Sequence, residues 1–123
     1  MGSEMCIRDS LGGAPWPPWE LGPGLMPWFV KTERFLRPYA QMKPHLEAHR
    51  SWVEQRRSEG VVLSSGYLVD GEGQPGGGGL LLLQAADYRE AEALIQQDPM
   101  LLSGGVEWNL QQWRPAVGDL GVI

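Results

Sequence analysis

One cysteine, two histidines and two phenylalanines are all that the 123 residues contain of those types. With Cys6 alone, no internal disulfide can form, and stability must come from an apolar core. No apolar run approaches the roughly 18 residues of a membrane-spanning helix, and Leu80-Leu81-Leu82-Leu83 has only strand length. Positive charge is scarce as well. Ten Lys and Arg stand against fifteen Asp and Glu, a net charge of −5, and Arg56-Arg57 is the largest basic cluster. Nothing here neutralises a row of phosphates, so neither nucleic acid nor a membrane is expected as partner. No basic start leading into an apolar run marks a secretory signal. The chain reads as cytoplasmic.

Glycine and proline are plentiful, at 17 and 10. Nine of them fall within residues 1–25, where proline spacing forbids both a helix and a central strand. That stretch is expected to be a disordered or non-native leader, and Met5-Cys6-Ile7-Arg8-Asp9-Ser10 resembles translated adapter sequence. Pro15-Trp16-Pro17-Pro18-Trp19 has the composition of a proline-rich ligand but lacks a spaced PxxP with a basic anchor. One folded domain is expected over residues 26–115, followed by a C-terminal tail at 116–123.

Within that domain the pattern is strand, helix, strand, strand, helix, strand. Trp28–Glu33 alternates as a strand. A long helix is expected from Tyr39 to Ser58, stopped by Gly60, with Pro44 near its start. Val61–Asp70 and Gly78–Ala85 are strands joined by the turn-rich Asp70-Gly71-Glu72-Gly73-Gln74-Pro75-Gly76-Gly77. The four leucines of the second of these suggest a central strand covered on both faces. Asp87 and Glu90 form a capping box for a helix reaching Gln97, and Asp98-Pro99 ends it or opens the next turn. Gly105–Arg114 alternates as the last strand. The order βαββαβ predicts a ferredoxin-like α+β fold, an antiparallel sheet with both helices on one face. The opposite face would stay bare, so a homodimer, a dimeric α+β barrel, is expected to cover it.

On a wheel of 100° per residue, Met42, His45, Leu46, His49, Trp52, Val53 and Arg56 share an arc of about 120°. Both histidines therefore face the core, where an imidazole needs a partner or a cavity. Backbone partners at the edge of the interface would satisfy them. Their i, i+4 spacing also suits a metal pair. However, the fold offers no cysteine, and His-Leu-Glu-Ala-His lacks the glutamate directly after the first histidine, so no metal and no other cofactor is expected. Acid–base chemistry needs a carboxylate near an imidazole. Asp70 ends its strand close to the first turns of the helix, where His45 sits, and a His45–Asp70 pair is geometrically reasonable. Asp70 is equally at home as a turn residue before Gly71.

Several segments together resemble the YciI-like (YCII-related) family over about residues 27–115. They are Lys43-Pro44-His45-Leu46-Glu47-Ala48-His49, Ser58-Glu59-Gly60 through Ser64-Ser65-Gly66-Tyr67-Leu68-Val69-Asp70, Ala91-Glu92-Ala93-Leu94 leading to Gln97-Asp98-Pro99-Met100, and Trp113-Arg114-Pro115. The resemblance implies the dimeric barrel and a His–Asp pair falling on His45 as general acid/base and Asp70 as its orienting partner. It further implies a small-molecule enzyme of lactone, dehalogenase or isomerase type, with relatives among lactone dehalogenases and muconolactone-isomerase-like barrels. Met42 stands where members often carry Arg, and Tyr67 where they often carry Pro, so Arg37 or Lys43 would have to anchor an anion. His49, Trp52, Ser65, Tyr67 and Trp108 are candidate substrate-binding walls. A non-catalytic ligand-binding or accessory domain, and a cofactor-free monooxygenase of the same superfamily, are the rival readings.

Overall fold

Four strands hydrogen-bond in the order β2-β3-β1-β4 in a computed structural model, which describes residues 26–118. The elements run β1 (Trp28–Phe35), α1 (Tyr39–Ser58), β2 (Leu63–Val69), β3 (Pro75–Gln84), α2 (Tyr88–Ile95), the short α3 (Pro99–Leu102) and β4 (Val106–Trp113). β3 pairs antiparallel with β1 and with β2, the sheet of the expected βαββαβ fold. Trp28–Gln112 is one compact unit, and the remaining described residues, 26–27 and 113–118, fall to a second; residues 114–118 form no helix or strand. The leader expected at 1–25, with Pro15–Trp19, and the tail from residue 119 lie outside the described residues.

Local signals act where the sequence places them. Gly60 takes φ +95°, and the amides of Gly60 and Val61 close on the carbonyls of Arg57 and Arg56, ending α1. Pro44 remains inside the helix, one turn from its start. Asp87 Oδ1 accepts the Glu90 amide at 2.8 Å, and Glu90 Oε1 accepts the Ala86 amide at 2.6 Å. α2 stops at Ile95 because the Asp98-Pro99 step starts a new turn, with Asp98 as the N-cap of α3.

Period two along the strands puts Phe29, Leu63, Leu81, Leu83 and Leu110 on one face. Trp52 of α1 and Ala91 and Ile95 of α2 join them in one buried cluster, so both helices cover the same side of the sheet. The other side corrects one expectation. β3 is central, yet of its four leucines only Leu81 and Leu83 are buried. Leu80 is 37% exposed, as are Leu68 (47%) and Val62 (49%) beside it, so within the described chain the leucine run is covered on one face only. Gly78 and Gly79 keep β3 close to its neighbours. A Cβ on Gly78 would collide with the Glu33 carbonyl oxygen, and one on Gly79 would sit 2.9 Å from that of Gly66.

Candidate active site

Two charged residues interrupt the apolar alternation of β1 on its helix-facing side: after Phe29 come Lys31 and Glu33. Lys31 is 2% exposed. Its ammonium reaches Glu33 Oε1 at 2.8 Å and Asp98 Oδ2 at 2.9 Å. A lone buried ammonium would cost several kcal/mol, and two carboxylates with good geometry offset that. Asp98 is fully buried. Its Oδ1 accepts the Met100 amide at 2.9 Å, which fixes the carboxylate as a helix cap, and lies 2.7 Å from His49 Nδ1. On the far side of the ring, Nε2 lies 2.7 Å from Ser65 Oγ of β2. The imidazole of α1 is thus held between Ser65 of β2 and Asp98, the N-cap of α3, and Lys31 of β1 holds the other oxygen of that carboxylate.

Charge fixes the roles. Burial pushes the Asp98 carboxyl up, but the His49 hydrogen bond and the adjacent Lys31 charge outweigh it and hold the group below its ordinary value. Asp98 is therefore an anion that only accepts, so His49 Nδ1 carries the proton it donates to Oδ1. Nε2 is then free to accept from the Ser65 hydroxyl.

Beside this chain of hydrogen bonds lies a cleft of about 500 Å³ between α1 and the β2–β3 edge. Its walls include His49, Ser65, Tyr67, Arg50 and Arg57, with Gly66, Gly78 and Gly79 along the sheet side. Arg50 and Arg57 are exposed and, among the described residues, form no ion pair. Among the described residues no three His, Cys, Asp or Glu side chains converge as metal ligands would, and no helix is long and apolar enough to cross a membrane.

The expected residues divide into three groups. His49, Ser65 and Tyr67 line the cleft. Trp52 is in the main buried cluster, its ring 6.0 Å from that of His49, and Trp108 packs half-buried against the same core. His45 and Asp70 are not brought together: no hydrogen bond joins them among the described residues. β2 ends at Val69, and Asp70 Oδ1 is spent on the hairpin, accepting the amides of Glu72 at 2.8 Å and Gln74 at 3.0 Å. Its exposed turn role wins, and His45, one helical turn before His49, is only half-buried. In the sequence Asp98 reads only as the residue before Pro99, ending a helix or opening the next turn. The sign that it does more is Lys31, a cation on the buried side of β1 that requires an anion.

An antiparallel α+β sandwich with a buried His–Asp pair at the wall of a cleft defines the class. The YCII-related domain matches residues 28–113, and the chain belongs to that family. Among solved structures it is similar to the 5-chloro-2-hydroxyhydroquinone dehydrochlorinase TftG of Burkholderia phenoliruptrix AC1100, in complex with 2,5-dihydroxybenzoquinone. The identity is 17% over 70% of this chain and 93% of that one, with a TM-score of 0.53. A conserved protein from Methanosarcina mazei Go1 matches at 18% identity over 72% and 93%, with a TM-score of 0.47. Curated proteins give no match.

Proposed function

We propose that the chain is a small-molecule enzyme in which His49, oriented by Asp98, performs acid–base chemistry on a compact ring compound in the cleft. The observation that carries this reading is the 2.7 Å contact between His49 Nδ1 and a fully buried, anionic Asp98, at the wall of a cavity of substrate size. A substrate hydroxyl displaces Ser65 Oγ from Nε2 and gives up its proton there. In the keto tautomer the halogen-bearing ring carbon is tetrahedral. There the electron pair released moves through the ring into a new π bond to that carbon as the halide leaves with its bonding pair, so HX is lost overall. Where no leaving group is present, the proton returns at another position and the substrate is isomerised. Arg50 and Arg57 supply positive charge at the cleft for a phenolate or carboxylate, the place that Arg37 or Lys43 would otherwise fill. The likeness to a dehydrochlorinase supports elimination as the first reaction to try. The bare face with Val62, Leu68 and Leu80 supports pairing with a second copy. The test is halide release from chlorinated di- and trihydroxybenzenes and from chlorinated lactones. Wild type should turn over at least one class, and His49→Gln should lose about 100-fold or more. Equal rates for the two proteins would contradict the reading.

A further inference from the structure

The order of exposure along Ser65–His49–Asp98 matters as much as the distances. Asp98 is fully buried, His49 is 7% exposed, and Ser65 is exposed in the cleft. A molecule entering the cleft therefore meets the serine oxygen before the imidazole. Oγ lies 2.7 Å from Nε2, and Nδ1 lies 2.7 Å from the carboxylate. Elimination of HX requires the base and its orienter but gives this hydroxyl nothing to do. The arrangement is that of an activated nucleophile: hydroxyl, base, and a third group orienting the base.

We propose that Ser65 is a covalent nucleophile and that the cleft hydrolyses activated acyl compounds, small esters or lactones, as a second activity. The proposal shares with the reading above only the premise that His49 is a base. Ser65 Oγ attacks the carbonyl carbon while its proton passes to His49 Nε2, and the carbonyl π pair moves onto oxygen. Collapse expels the alkoxide, which takes the proton back from Nε2–H and leaves an acyl-Ser65. Water then attacks that carbon and gives one proton to Nε2. Loss of the acid returns the proton to Ser65 Oγ, so ester and water become acid and alcohol.

The strand supplies the partner such a step needs. The Gln84 amide donates to the Val62 carbonyl at 2.9 Å, and the register continues through Ser64↔Leu82 and Gly66↔Leu80. By the alternation of an antiparallel pair, Val62, Ser64 and Gly66 direct their amides towards β3. Those of Ser65 and Tyr67 point out of the edge, since β2 is the terminal strand of the sheet. The outward Ser65 N–H is therefore one backbone donor beside the nucleophile for the developing oxyanion, while that of Tyr67, roughly 6.5 Å further along the strand, does not share the same oxygen.

The experiment treats the full chain with a fluorophosphonate probe and maps the adduct by peptide mass spectrometry. Ser64, also exposed and the residue before it, with its side chain on the other side of the strand, is the internal control. The expected result is an adduct on Ser65 with Ser64 unlabelled. Ser65→Ala should lose the adduct, and His49→Gln should form it about 100-fold more slowly. With p-nitrophenyl acetate, wild type should show a burst of about one equivalent, absent in Ser65→Ala. Equal labelling of Ser64 and Ser65 in wild type, or a Ser65 labelling rate unchanged in His49→Gln, would overturn the proposal. The adduct and the burst are read without any halide assay, so a failure of elimination and a failure of this proposal are distinguishable.

Discussion

Lys31 and His49 never touch, yet both are held by the same carboxylate: Asp98 binds the ammonium through Oδ2 at 2.9 Å and the imidazole through Oδ1 at 2.7 Å. Against burial, the His49 hydrogen bond and then this strand cation hold the carboxyl that orients the histidine below its ordinary value. Structure and chemistry share one buried anion, and substitutions around it should report on both.

Removing the cation leaves Asp98 and Glu33 buried side by side without compensation. Lys31→Met is expected to destabilise the fold by about 3 kcal/mol, as breaking a buried pair on one side does. Urea denaturation followed by tryptophan fluorescence measures it. A loss under about 1 kcal/mol would mean that the ion pair is not buried in solution.

Acid stability follows from the lowered Asp98 carboxyl. The unfolded chain binds this proton near the ordinary value of 3.8, the folded chain only at lower pH. Over that interval the unfolded state holds more protons, so the Asp98 contribution is present above it and lost as pH falls through it. Denaturation midpoints between pH 6 and pH 2.5 should drop less steeply at the acid end for Asp98→Asn than for wild type. Parallel curves would contradict the assignment.

Much of the fold is legible in local chemistry, and the site is legible only in part. Helix α1 keeps its expected bounds because Gly60 supplies a left-handed stop, and α2 starts where Asp87 and Glu90 cap it. The two-residue period places Ser65 and Tyr67 on the helix side, and the helical arc turns His49 inwards. The choice between two histidines and among several carboxylates is different. It depends on where α3 docks on α1, a contact spanning 49 residues that no local period encodes. Asp70 and Asp98 both occupy cap or turn positions, and only burial separates them.

Asp70 offers the contrasting substitution. Its two turn hydrogen bonds are exposed, so Asp70→Ala should cost about 1 kcal/mol and leave the labelling rate of Ser65 unchanged. A loss of reactivity comparable to that of His49→Gln would return Asp70 to the site.

Close strand packing is tested by two glycines. Gly78→Ala drives a Cβ into the Glu33 carbonyl and should cost about 2 kcal/mol or more, whereas Gly66→Ala meets nothing within 4 Å and should fall within about 0.5 kcal/mol of wild type. Thermal melts of both variants check the order, and a reversal would contradict the register of β3.

The protonation of the His49 ring bears most directly on its role as an oriented base. Long-range ¹H–¹⁵N spectra of the labelled protein, with His45→Gln to assign the signals, distinguish a proton on Nδ1 from one on Nε2. With Asp98 anionic and 2.7 Å from Nδ1, the neutral ring should carry its proton on Nδ1, leaving Nε2 to accept. A neutral ring protonated on Nε2, or one exchanging freely between the two forms, would show that Asp98 does not orient His49 and would remove the basis for acid–base chemistry in the cleft.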